Sequence, residues 1–186
     1  MFIDLAKQFN WLDFFFVILL IRICYISQER GALVEAFKVL GVVLGILISF
    51  ENFNVLGNFI QEKLSLAPEL INFVCFVALL VFGYFISLVF RDLVLKFIKI
   101  KEKLASPDRF LAVALGLLRV SLIFSLVLIA LRLSGPENFR NDTKRSYLGG
   151  YFINLSPKTH SFVFNLVVKK LRPDFMPNKA IEDILK

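Results

Sequence analysis

Four ionisable residues lie inside otherwise apolar stretches of this chain: Arg22, Glu35, Lys38 and Arg119. In hydrocarbon such groups are costly, and they serve ion paths, proton relays or buried pairs. A central Arg costs about 2.5–3.5 kcal/mol on insertion scales, and Arg119 sits near the middle of its run. Glu35 is the acidic residue embedded beyond the edge of a run. The expected offset is therefore a Glu35–Arg119 or a Glu35–Arg22 pair. Glu35 and Lys38 are also spaced to pair locally at i, i+3, and snorkelling to an interface competes with both. Other chemistry is sparse. His160 is the single histidine and is expected at the surface, with no nucleophile to serve. Cys24 and Cys75 are isolated within apolar runs, where Cys acts as a small hydrophobe and no zinc pattern forms. No catalytic, cofactor-binding or metal-binding residue is assigned, and no enzymatic activity is expected.

The elements that must hold these residues are membrane helices. Of 186 residues, 58% are apolar and 22 are Phe, more than the roughly 45–50% apolar content of soluble domains. The excess is gathered into four runs, about 11–26, 31–50, 70–90 and 110–133. The third, Leu70 to Phe90, has no charge at all, and a span needs about 20 such residues. Trp11 suits an interfacial anchor. Only Ser27–Gly31 separates the first two runs, which predicts a tight hairpin turning at Arg30 and Gly31. A polar connection follows from Glu51 to Glu69, with an amphipathic piece near Phe59. Ser106-Pro107-Asp108 reads as a helix start. No cleavage site follows the first run, so it is expected to be retained.

Gly41 and Gly45, with Ser49 beyond, make a small-residue stripe that lets helices approach closely in lipid. It serves packing within the chain or a homo-oligomer seam. Ala112 and Gly116 repeat the spacing in the fourth run. The reading is thus an all-α polytopic membrane protein: a four-helix bundle over residues 1–133, then a polar, basic tail over 134–186. Within the tail, Ser156-Pro157 predicts a helix start and Pro173 a stop. The segment between is too short to span but apolar enough to lie on a membrane surface as a short amphipathic helix.

The net charge of +7 fits loops that orient the chain and touch anionic headgroups; nucleic acid is not an expected partner. The third loop holds Arg91, Lys96, Lys99, Lys101, Lys103 and Arg109, the second only Lys63. By the positive-inside rule the first and third loops face the cytoplasm, and the termini the periplasm. The basic tail pulls the other way, weakly, because distant charges orient little.

Asn10-Trp-Leu-Asp13, Arg30-Gly31 with Glu35, and Gly41 with Gly45 resemble the start of the colicin V production (CvpA) family. Asp108-Arg109, Gly116 and Arg119 are similar to that family's pattern in its last helix. The resemblance covers roughly residues 10 to 133. The chain departs from it at Ala112 and Val120, where the family tends to have Gly, and near Ser27 and Val34. The resemblance implies an inner-membrane protein linked to production or export of a peptide toxin and to envelope homeostasis. It supplies no reaction and no catalytic residue. Two functions follow. One is an accessory or scaffold factor with other membrane or secretion proteins as partners. The other is a small transporter or channel subunit, an oligomer using the intramembrane Arg and Glu residues. The candidate functional or packing positions are Arg22, Arg30, Gly31, Glu35, Gly41, Gly45 and Arg119.

Overall fold

The structure is a computed structural model that describes residues 9–63, 66–97, 106–171 and 178. The basic positions Lys99, Lys101 and Lys103, the lead before Phe9, and Pro173 lie outside the described residues. Four helices are long and apolar enough to cross a membrane, and the chain is an all-α, multi-pass membrane protein. They are α1 (Trp11–Arg30), α2 (Ala32–Gln61), α3 (Pro68–Phe97) and α4 (Ser106–Leu133).

Helix α1 begins with a complete capping box. The Asn10 side chain accepts from the backbone of Trp11 and of the third helical residue, and Asp13 reaches back to the Asn10 N–H at 2.8 Å. The helix runs to Arg30, several residues past the apolar run, because Ser27 lies buried against α4 and its hydroxyl donates back to the Ile23 carbonyl. Gly31 then turns the chain at φ 81°, a conformation that favours glycine. The hairpin expected there is tight in its turn only. Helices α1 and α2 scarcely touch, and both pack on α4, while α2 pairs most extensively with α3.

Helix α2 is one continuous helix of 30 residues, about 45 Å at 1.5 Å per residue. The polar connection expected from Glu51 is absent as far as Gln61. Phe50, Phe53 and Gly57 carry the buried face past the membrane run, and Asn52, Asn54 and Asn58 fall outside that face. The α2–α3 seam is close. A Cβ on Gly83 would sit 2.7 Å from the Gly45 Cα, and one on Gly41 would meet the Ser87 Cβ at 3.0 Å.

The described part of the tail packs back on the bundle. After α5 (Glu137–Arg145) and α6 (Gly149–Phe152), helix α7 (Leu155–Val163) enters the bundle and packs on α2 and α4. It continues as a wider π turn over Phe164–Val168 and a last turn at Lys169–Leu171. The Ser156 hydroxyl donates to the Leu122 carbonyl at 3.3 Å. Leu122 lies about 16 Å from the end of α4, so the tail re-enters by roughly three turns. In lipid every backbone group needs a partner. Ser125 meets that demand at the break between α6 and α7, donating to the Ile153 carbonyl and accepting from the Ser156 N–H.

Candidate functional site

Glu35 lies one turn into α2, wholly buried. Lys38, one turn further, donates to Glu35 Oε1. Arg119, reaching across from α4, places Nη1 2.9 Å from Glu35 Oε2. That approach is a contact of charges rather than an aligned hydrogen bond, and Arg119 Nε has no acceptor among the described residues. Both bases are nearly buried, Lys38 at 5% and Arg119 at 6% exposure. Of the two pairings left open by the sequence, α4 supplies the partner; local pairing to Lys38 occurs as well. The cluster joins α2 to α4 and carries two positive charges against one negative.

The remaining candidates have other places. Arg22 is exposed on α1 and does not meet Glu35. Arg30 is exposed at the end of α1, beside the buried Gly31. Asp108 closes the same end, accepting from the Ala32 N–H at 3.3 Å. Gly41 and Gly45 serve the α2–α3 seam, which is packing within the chain.

Two polar centres went unread in the sequence. Asp13 is fully buried and ties the start of α1 to the tail. Its Oδ1 accepts from the Ser146 hydroxyl at 2.7 Å and the Leu148 N–H at 3.0 Å. Its Oδ2 accepts from the Tyr147 N–H at 3.2 Å. Trp11 adds a bond from its indole N–H to Asp142 at 2.8 Å. The N-x-x-D spacing of Asn10 and Asp13 was the available signal, since it is a capping-box pattern. The second centre is His160, expected at the surface and found 5% exposed between Phe50 and Phe164. Its Nε2 lies 2.9 Å from Glu51 Oε1, out of line for a hydrogen bond. Burial pushes the imidazole below its ordinary pKa, and the Glu51 carboxylate pulls it back part of the way. The Asn178 backbone N–H also donates to Glu51, at 3.2 Å to Oε2.

An open cleft of ≈ 570 Å³ lies at the tail end of the bundle, lined by Asn10, Asp142, Lys144, Arg145 and Tyr147. It is distant from the Glu35 cluster. Among the described residues no group of His, Cys, Asp and Glu is placed to hold a metal.

A family profile described as Colicin V production protein matches residues 12–157. No curated protein and no solved structure matches the chain. The matched stretch runs from the start of α1 through the re-entry of the tail at Ser156, and the chain belongs to the colicin V production protein family.

Proposed function

We propose that this protein is an accessory or scaffold factor of the bacterial inner membrane, serving production or export of a colicin V-type peptide toxin and envelope homeostasis, with its termini in the periplasm. One observation carries the choice of scaffold over transporter. Glu35, Lys38 and Arg119 are buried against one another, at 0%, 5% and 6% exposure, and a group lining a solute path would be open to that path. Their arrangement suits a fixed join between α2 and α4 more than a conduit. The tail strengthens this reading, because Asp13 of α1 and Ser125 of α4 both bind it to the bundle. Protein reconstituted in vesicles is expected to move no solute. Crosslinking in native membranes, followed by mass spectrometry, is expected to return a reproducible neighbour from the secretion or envelope machinery. Solute flux that Glu35→Gln abolishes at unchanged protein level would overturn the proposal.

A further inference from the structure

Among the described residues, Arg22 is a charge inside an apolar run that finds no partner. Glu35, Lys38, Arg119 and Asp13 are buried with partners. Arg22 is exposed, and none of the described residues pairs with it. It stands in the second half of the first apolar run, about 16 Å from Trp11 and about 6 Å from the end of that run at Ile26 along the axis. Snorkelling is poorly served here. Side chains on a helix lean toward its N-terminus, which directs Arg22 toward the farther end. An Arg left without a partner in hydrocarbon is costly.

The surrounding face is continuous. Trp11, Phe14, Ile18 and Tyr25 share a stripe with Arg22 at helical spacing, and all four are exposed. Exposed apolar residues are ordinary against lipid, whereas a charge among them is not. Charges within spans face a protein interior or a polar partner. Among the described residues, a second copy of this chain offers no free carboxylate inside its apolar runs. Glu35 and Asp13 are both at 0% exposure and engaged, and the run Leu70 to Phe90 of α3 has no Asp, Glu, Lys or Arg.

We infer that the outer face of α1 docks a transmembrane helix of a different protein, one carrying an Asp or Glu at mid-membrane that pairs with Arg22. The inference deepens the accessory-factor reading, on which it rests, by naming the chemistry of the partner. Tyr25, three residues on, adds a hydroxyl to the same patch.

The test uses the full chain with a donor fluorophore at its N-terminus, in phosphatidylcholine vesicles at mildly alkaline pH. The probe is a Leu-rich helix of about 20 residues with an acceptor dye and a single central Glu; matched peptides carry Gln or Leu there. Energy transfer is expected to report binding of the Glu peptide about tenfold tighter than the Leu peptide, equivalent to ~1.4 kcal/mol. Arg22→Leu should remove that preference and Arg22→Lys retain part of it. Arg22 is exposed and makes no hydrogen bond or ion pair with the described residues, so the Arg22→Leu protein should melt at the parent temperature. Equal binding of the Glu and Leu peptides would overturn the inference. So would Arg22-dependent transfer between two labelled copies, which would assign the face to self-association. Neither result bears on solute flux, which tests the accessory-factor reading separately.

Discussion

At the scale of single residues, a charge in hydrocarbon needs a partner, and Arg119 Nη1 stands 2.9 Å from Glu35 Oε2. Arg119 and Glu35 stood out because each interrupts an apolar run, and the cost of a charge in hydrocarbon demanded a partner. The sequence left Arg22 open as a second candidate, since one-dimensional spacing does not say which faces of two helices meet. Asp13 was harder to see. It sits at the edge of its run, where a charge costs little and prompts no question. Its partners come from Ser146 to Leu148, more than a hundred residues away. Hydrogen bonds to a charged group contribute about 1.5–3 kcal/mol. Asp13→Ala is therefore expected to lower unfolding stability in detergent by about 1.5–3 kcal/mol and to expose the tail near Tyr147 to protease. Unchanged proteolysis would separate Asp13 from tail docking.

At the scale of elements, the spans were readable and their ends were not. Hydropathy marks where a helix leaves lipid, not where it stops being a helix. Nothing in Glu51 to Gln61 breaks a helix, and Phe50, Phe53 and Gly57 keep one face buried. Gly83 lay hidden in the charge-free third run, yet its missing side chain sets the α2–α3 approach. Gly83→Ala would drive a Cβ to 2.7 Å from backbone in α2. It is expected to cost about 1–3 kcal/mol by overpacking, measured by thermal unfolding in detergent. The re-entry of α7 was equally hidden, because its apolar face fits a membrane surface and a bundle groove alike. His160 gives that docking a pH dependence. Its folded pKa lies below the ordinary value, so the unfolded chain takes up the proton more readily. Docking is then at full strength above about pH 6.5 and weakens as pH falls through the lower folded value. The protection of α7 amides, measured relative to their intrinsic exchange rate at each pH, should fall on acidification, and His160→Gln should flatten that response.

At the scale of the whole molecule, the fold is a bundle whose helices meet through buried polar joins as well as small residues. Lipid supplies no hydrophobic drive for one helix to seek another, and the polar joins fix which faces meet. The Glu35 cluster holds α2 to α4 at one end, Asp13 holds α1 to the tail at the other, and Ser125 anchors the re-entrant turn between. Glu35 and Arg119 form a structural pair at the centre of this arrangement. A double-mutant cycle on Glu35→Gln and Arg119→Met, read by reversible unfolding in detergent, tests it most directly. Residues in contact couple by about 0.5–3 kcal/mol, and the expected coupling is in the upper half of that range. Glu35→Gln should be the more damaging single change, since it leaves Lys38 and Arg119 both unneutralised. Effects of the two changes that simply add, within about 0.5 kcal/mol, would contradict the account.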